Sequence, residues 1–222
     1  MNVASIAGFT NLGYHLHARK FDPIEANMGG RTVLVTGATG GLGLETATTL
    51  ADLGARVIIV GRSAAKLEAA QSQGSGRFVP ERADLSLMEE VRHLADRIAQ
   101  SEEHLDVLVN NVGVLLSSRE VTDEGLEKTF ATDLAGHFLL TNLLLPALAR
   151  SGSARVVNVS SGGMYSARID PDDLQFEKRP YTGTAAYASA KRGQVVLTEL
   201  WAERFPGNEV VFHVMHPGWV NT

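Results

Sequence analysis

Cysteine is absent from all 222 residues of the chain. Its absence excludes disulfide bonds, thiolate metal sites and a cysteine nucleophile, and it agrees with a reducing compartment. Long apolar runs are also absent, since none reaches the roughly 18 residues that a membrane-spanning helix needs. The N-terminus lacks the basic residues that begin a secretory signal. We therefore expect a cytoplasmic protein without a transmembrane segment.

Positive charge is scarce and unclustered. The formal net charge is −5 at pH 7 and no run of lysine or arginine occurs, so we expect no nucleic-acid partner. His15 and His17 alternate, but a metal site needs further ligands nearby, and we predict no metal. The chain does have a hydrophobic fraction of 44%, which suits one domain with a sizeable core.

Residues 1–30 precede the first predicted strand and form an N-terminal extension. Ile6, Phe9, Leu12 and Leu16 have the spacing of one helical face. This spacing favours a helix that packs on the domain or on a partner subunit. A membrane-surface anchor is the alternative, although the segment is poor in lysine and arginine.

A glycine-rich stretch, RTVLVTGATGGLG, occupies residues 31–43. Its apolar run at 33–35 predicts a buried strand, and a helical pattern follows at 44–53. A glycine turn between strand and helix presents backbone N–H groups to a diphosphate, and a Cβ there would hold the phosphates away. Two spacings fit the turn: Gly37 and Gly43 combine with either Gly40 or Gly41.

Beyond this stretch, apolar runs alternate with helical patterns. Strands are predicted at 33–35, 56–60, 77–79, 105–109, 155–159 and 209–214, and helices at 44–53, 63–71, 87–100, 122–149 and 184–204. Ser86 is the predicted N-cap of the third helix, with Glu89 completing a capping box. The alternation predicts an α/β fold, a doubly wound parallel sheet flanked by helices, with its ligands at the carboxyl ends of the strands.

The sequence YASAK, from Tyr187 to Lys191, lies inside the last predicted helix. A spacing of four places the two side chains on one helical face. Lowering a phenol pKa from about 10 to about 7 requires roughly 4 kcal/mol, which an ammonium about 4 Å away supplies at an effective dielectric near 20. The pair therefore suits proton exchange, and Ser161, at the end of a strand, offers a hydroxyl to a carbonyl oxygen.

These motifs together resemble the short-chain dehydrogenase/reductase family over residues 31–222, which we take as one Rossmann-type domain. The resemblance implies hydride transfer between a nicotinamide cofactor and a carbonyl or secondary alcohol, with Ser161, Tyr187 and Lys191 as catalytic residues. The segments SSGGM, DLQ, KRGQVVLTELWAE and MHPGW resemble one narrower group within the family. The cofactor-binding positions implied by the resemblance are Gly37, Thr39, Gly40, Gly41, Leu42, Gly43, Arg62, Asp84, Leu85, Asn111, Val112, Gly113, Tyr187, Lys191, Pro217, Gly218, Val220 and Thr222.

Cofactor choice depends on the end of the second strand. An NAD site needs an acidic side chain there for the ribose hydroxyls. The sequence instead has Arg62, which suits the 2′-phosphate of NADP. We therefore expect NADP, with NAD as the alternative.

Three features depart from the family pattern. Asp133 occupies the position of the family's fourth catalytic residue, an asparagine. A carboxylate pointing inward would oppose phenolate formation, whereas one bonded to local backbone would have no further role. The interval between Ser161 and Tyr187 is longer than usual, and it predicts either a charged surface loop or a specificity loop at 168–182. The chain also ends before the family's usual substrate-covering helix, so we expect either a C-terminally short domain without that helix or a fragment of a longer protein.

Two functions follow from this pattern. The first is an oxidoreductase acting on a small carbonyl or alcohol of lipophilic character. The second is a dinucleotide-binding protein with little turnover, which acts through a protein partner. The family resemblance also implies a homo-dimer or homo-tetramer formed through the two longest helices.

Overall fold

The computed structural model describes residues 26–218. Six strands form one parallel sheet in the order β3-β2-β1-β4-β5-β6. This topology confirms the predicted α/β fold of Rossmann type. The strands are β1 (Thr32–Thr36), β2 (Arg56–Gly61), β3 (Phe78–Arg82), β4 (Val107–Asn110), β5 (Ala154–Val159) and β6 (Val210–Met215).

Helices connect the strands and cover both faces of the sheet. They are α1 (Gly41–Asp52), α2 (Ala64–Gln71), α3 (Met88–Ser101), α4 (Lys128–Phe130), α5 (Gly136–Arg150) and α6 (Gly183–Arg204), with a π-helical turn at Ala131–Ala135 and a 3-10 turn at Gly162–Ser166. No helix within residues 26–218 is both long enough and apolar enough to cross a bilayer. The predicted helix in the N-terminal extension lies outside the described residues.

Strand side chains alternate between two hydrophobic clusters, one on each face of the sheet. Leu34 packs with Leu94 of α3 in one cluster. Its neighbour Val33 packs with Ala47 of α1 in the other. Because both faces are covered, the central strands are continuous apolar runs, and that is why the runs were visible in the sequence.

The fourth predicted helix begins six residues later than its pattern indicated. Thr122 N–H donates to Leu126 O and Gly125 N–H donates to Thr122 O, so this segment forms a turn. The buried Glu127 then caps α4 by accepting hydrogen bonds from Thr129 N and Phe130 N. The polar pattern at 122–127 thus belongs to a turn and a cap, because a carboxylate satisfies free N–H groups at a helix start.

The predicted capping box at Ser86 is wrong. Ser86 Oγ donates to Asp84 Oδ1 at 2.7 Å. The residue at the N-cap position of α3 is Leu87, whose side chain makes no capping hydrogen bond. Instead Glu124, distant in sequence, accepts from Met88 N at 2.5 Å and Glu89 N at 2.9 Å. A carboxylate at this end also interacts favourably with the helix dipole.

The substitution Glu124→Ala is expected to lower the free energy of unfolding by about 1 kcal/mol, because it removes both caps from α3. Glu89→Ala is the matched control: Glu89 lies in the same first turn near the helix dipole, but it caps no N–H group and pairs with His93 on the surface, so its cost is expected to stay below about 0.5 kcal/mol. Urea denaturation of the three proteins measures the difference. Equal losses in the two variants would contradict the assigned cap.

Candidate active site and cofactor cleft

A polar clip joins the carboxyl ends of β1 and β4, which are neighbours in the sheet. Asn111 N and Val112 N donate to Thr36 Oγ1 at 2.9 and 3.1 Å, and Asn111 Nδ2 donates to Thr36 O at 2.9 Å. The chain leaves these two strands towards opposite faces of the sheet, so a crevice opens between them. Asn111 lines the crevice, but its amide holds the turn after β1.

The glycine turn has the geometry of the Gly37, Gly41 and Gly43 spacing. Gly37 and Gly41 have φ values of +67° and +52°, a region that favours glycine. Gly43 packs so tightly on the Gly37 carbonyl that any Cβ would collide with it. Gly40 has extended backbone and open space around it. No side chain caps α1, so its first N–H groups are oriented to bind an anion.

One end of the crevice is a cavity of about 440 Å³ beside β2 and β3. Arg62 and Lys66 both reach it, and Lys66 was missed in the sequence although it lies in the first turn of α2. Asp84 also lines it and accepts from Ser86 N at 2.9 Å. The predicted positions that line this cavity are Gly37, Thr39, Arg62, Asp84, Leu85, Val112 and Gly113.

The other end is a cavity of about 620 Å³ between the glycine turn and α6. The two cavities share Gly37, Val112, Gly113 and Val114, so they form one continuous cleft. Gly41 and Gly43 shape the turn without lining either cavity, and Val220 and Thr222 lie outside the described residues. The predicted positions that line the second cavity are Gly37, Gly40, Leu42, Asn111, Val112, Gly113, Ser161, Tyr187, Lys191, Pro217 and Gly218.

Ser161 and Tyr187 meet in the second cavity. The Ser161 hydroxyl acts to lower the pKa of Tyr187, and Ser161 Oγ accepts a hydrogen bond from Gly163 N at 3.3 Å. The neighbouring Ser160 is buried and donates to Lys191 O at 2.9 Å. Both serines line the second cavity, and the preference for Ser161, whose hydroxyl is not bonded to Lys191, stays a prediction.

Tyr187 has a pKa above its usual value of 10, because it is partly buried and the carboxyl of Asp133 disfavours a phenolate, while the Ser161 hydrogen bond acts in the opposite direction. The predicted lowering of this pKa by Lys191 is thus wrong. Lys191 Nζ lies 5.5 Å from the centre of the Tyr187 ring. It donates instead to Val159 O at 2.9 Å.

Asp133 lies in the π-helical turn and is completely buried. Its Oδ1 accepts from Val114 N at 2.8 Å, and among the described residues Oδ2 has no hydrogen-bond partner. Burial raises the pKa of Asp133 to about 7, against the opposing charge of Lys191. The carboxyl therefore points inward, as the first of the two predicted alternatives required. π-helical turns often mark functional sites.

Gly113 lets Lys191 and Asp133 approach the same point. A Cβ on Gly113 would lie 3.2 Å from Lys191 Nζ and 3.4 Å from Asp133 Oδ2. Burial lowers the pKa of Lys191, while Asp133 acts to raise it. At the floor of the cleft, each of the two groups thus favours the charged form of the other.

A buried pair of residues that the sequence did not reveal supports this floor. Gln194 Nε2 donates to Asp133 O at 2.7 Å and contacts His137 Nδ1 at 2.7 Å. Burial and the charge of Lys191 lower the pKa of His137 to about 3, so its ring is neutral. The available signal was the position of Gln194, two helical turns after Tyr187 on the same face of α6.

The long interval after Ser161 is a packed substructure. Arg119 Nε donates to Gln175 O at 3.0 Å, and Glu127 N donates to Gln175 Oε1 at 2.9 Å. The buried Asp173 accepts from Glu177 N at 2.7 Å. The segment 168–182 is therefore anchored against the start of α4, which the charged composition alone did not indicate.

Comparison with known proteins agrees with this geometry. Dehydrogenase/reductase SDR family member 12 of Bos taurus is 39% identical over 221 residues, which cover 96% of this chain and 69% of that protein. The narrower group that the segments SSGGM, DLQ, KRGQVVLTELWAE and MHPGW resemble is the group of this relative, so the narrower resemblance is confirmed. Retinol dehydrogenase 13 of Homo sapiens is 37% identical over 205 residues, which cover 90% of this chain and 62% of that protein.

A solved structure has the same fold. A metagenomic short-chain oxidoreductase, crystallised in complex with NADP, is 28% identical with a TM-score of 0.71, and the match covers 87% of this chain and 84% of the other. The family model described as short chain dehydrogenase matches residues 31–222. The chain therefore belongs to the short-chain dehydrogenase/reductase family and is an NAD(P)-dependent oxidoreductase.

Proposed function

We propose that this chain transfers a hydride between NADP and a lipophilic carbonyl compound or secondary alcohol, with Tyr187 as the proton donor and acceptor. The observation that carries the proposal is that Ser161, Tyr187 and Lys191 line one end of the same cleft, where Ser161 acts to lower the pKa of the Tyr187 phenol. The glycine turn opens into the same cleft. This assembled set favours turnover over the alternative of a binding protein without catalysis.

The residues of the cleft fit a dinucleotide. Gly37 and Gly43 leave no room for side chains where the turn closes, and the uncapped start of α1 suits a diphosphate. Gly113 keeps the approach to Lys191 open, so its ammonium can bind ribose hydroxyls. The nicotinamide, when bound, supplies or accepts the hydride.

The protonation of Tyr187 favours one direction of the reaction. Because its pKa is raised, the phenol carries its proton at neutral pH, and that proton is the one a carbonyl oxygen accepts during reduction. Ser161 Oγ would hold the same oxygen by a hydrogen bond. In the reverse direction the Tyr187 oxygen, as a phenolate, would accept the proton of the alcohol.

Tyr187→Phe is expected to abolish turnover while NADPH binding stays within about twofold, because only the proton donor is lost. The measurement is NADPH oxidation with a panel of ketones, aldehydes and retinoids, alongside fluorescence titration of NADPH. Tyr165→Phe, which removes a hydroxyl from an exposed tyrosine, serves as the control. Undiminished turnover in Tyr187→Phe would refute the assigned role.

The preference for NADP is supported by charge at the first cavity. Arg62 and Lys66 line it, and β2 ends without an acidic residue. A 2′-phosphate would therefore meet two cations, and Arg62 is able to bind it through two parallel hydrogen bonds. The NADP complex of the metagenomic oxidoreductase agrees with this assignment.

Arg62→Ala is expected to weaken NADPH binding about tenfold or more and to change NADH binding little, since a charge-assisted hydrogen bond contributes about 1.5–3 kcal/mol. Arg92→Ala, on the exposed face of α3, changes the net charge equally and is the control. Titration of the wild type and both variants with NADPH and with NADH gives the ratio of the two affinities for each protein. Equal, small losses for both cofactors would remove Arg62 from the phosphate site.

In this proposal the charge of Asp133 adds to burial in raising the pKa of Tyr187. Asp133→Asn keeps an oxygen for the Val114 N–H and removes the negative charge, so the pKa of Tyr187 is expected to fall. The pH at which alcohol oxidation is half-maximal should then move down, with turnover kept or increased. An exposed carboxylate on α3, changed as Asp96→Asn, is the control. A large loss of activity in Asp133→Asn would show that the carboxylate has a separate chemical role.

The pH dependence of the free energy of unfolding provides an independent test of the same substitution. The folded-state pKa of Asp133 is about 7, above its ordinary value of 3.8, so the folded protein binds more protons between these values. The contribution of Asp133 to the free energy of unfolding therefore falls as pH rises from about 4 to about 7. Asp133→Asn should lack this fall, and urea denaturation at several pH values measures it.

The substrate class is supported by apolar residues at the second cavity. Val114 and the exposed Leu115 line it next to Ser161 and Tyr187. The name of retinol dehydrogenase 13 identifies a relative that acts on a lipophilic alcohol. A lipophilic substrate would cover these apolar side chains on binding.

Self-association is supported by the outer faces of α5 and α6. Phe138 and Leu200 are 45% and 53% exposed, and the Phe138 ring stacks on Trp201 at 6.0 Å. Exposed apolar side chains on adjoining helices suit contact between copies of the chain.

A further inference from the structure

His216 makes a contact with the catalytic serine loop that the reaction described above does not use. It follows β6 directly, and its Nδ1 accepts a hydrogen bond from Gly162 N at 3.2 Å. Gly162 is the residue after Ser161, whereas Pro217 and Gly218 continue from His216 along the cleft. One imidazole thus connects the serine loop to the segment that lines the second cavity.

The contact fixes the tautomer of the ring. A backbone N–H is only a donor, so Nδ1 has to be the unprotonated nitrogen, and in a neutral imidazole the proton is then on Nε2. Burial lowers the pKa of His216, which agrees with a neutral ring. The hydrogen bond therefore requires one specific form of His216.

Gly162 provides the space in which the ring lies. A Cβ on Gly162 would be 3.0 Å from His216 Nε2 and 3.4 Å from Cε1, closer than side chains ordinarily pack. At Gly163 a Cβ would meet only ordinary contacts, the nearest being Ala188 Cβ at 3.7 Å. The close approach is thus specific to the residue whose N–H binds His216.

We propose that His216 is a positioning residue for Ser161: by holding the Gly162 amide, it keeps the serine hydroxyl against Tyr187 and couples the serine to the Pro217–Gly218 segment. The inference deepens the proposed function, because it rests on Ser161 binding the substrate oxygen. Displacing the imidazole frees the Gly162 N–H and lets the loop shift. A shift of about 1 Å at a catalytic group costs up to about a hundredfold in rate.

The contact is tested without any activity measurement. Nitrogen-15 NMR of the imidazoles should show His216 with its proton on Nε2, and the Gly162 amide should exchange slowly with solvent. His216→Ala should speed that exchange about fivefold or more, since a hydrogen bond contributes about 1 kcal/mol. His216→Asn should restore protection, because asparagine Oδ1, like Nδ1, is two bonds from Cβ. A proton on Nδ1 would overturn the inference.

The glycines provide a matched pair that leaves His216 itself intact. Gly162→Ala should displace the ring and speed exchange of the amide at position 162, as His216→Ala does. Gly163→Ala should leave the His216 tautomer and the Gly162 amide unchanged. If both alanines behave alike, the ring does not depend on the space at Gly162, and the inference fails.

Kinetics separate this inference from the proposed function. His216→Ala and Gly162→Ala should lower kcat about tenfold, which corresponds to about 1.4 kcal/mol, with NADPH binding within about twofold. His216→Asn should recover most of kcat, and His213→Asn, on the exposed face of β6, should equal the wild type. If the wild type turns over and His216→Ala has the same kcat as the wild type, the positioning role of His216 is overturned while the proposed function stands. If the wild type fails to oxidise NADPH with every carbonyl compound of the panel, that result contradicts the proposed function instead.

Discussion

The functional cleft depends on the bonds between Thr36 and the first residues after β4. The Thr36 hydroxyl accepts from two successive N–H groups while the Asn111 amide binds the Thr36 carbonyl. These bonds hold two strand ends together at the position where the chain departs towards opposite faces of the sheet, which is where open α/β sheets bind ligands. The glycine turn is fixed on one side of this junction. The 111–114 segment is fixed on the other and extends to Asp133 through Val114.

A second constraint is the charge at the floor of the cleft. Asp133 and Lys191 are both buried, and each changes the proton affinity of the other. A buried charge without a partner is costly, so the asparagine expected from the family pattern would leave Lys191 in a different electrostatic environment. With an aspartate there, Tyr187 holds its proton more firmly. The chain's departure from the family pattern therefore acts on the Tyr187 proton, which the proposed reaction uses.

The sequence predicted the parts of the site that local periodicity determines. The spacing of Tyr187 and Lys191 placed both on one face of α6, and the apolar runs located the strands because both faces of the sheet are buried. Contacts between distant segments were beyond its reach: Glu124 caps α3 across 35 residues, and Gln194 binds the Asp133 carbonyl across 61. For the same reason the effect of Lys191 on Tyr187 was misjudged, since burial and the Val159 carbonyl determine where the ammonium lies.

The account's central claim is that a nicotinamide dinucleotide lies along the cleft between the glycine turn and α6. The most direct measurement is a crystal structure of the chain with NADP bound. The account predicts the diphosphate over the 37–43 turn at the start of α1, the 2′-phosphate against Arg62, and the nicotinamide beside Tyr187 and Ser161. A nicotinamide ring away from Tyr187, or a cofactor bound outside this cleft, would contradict it.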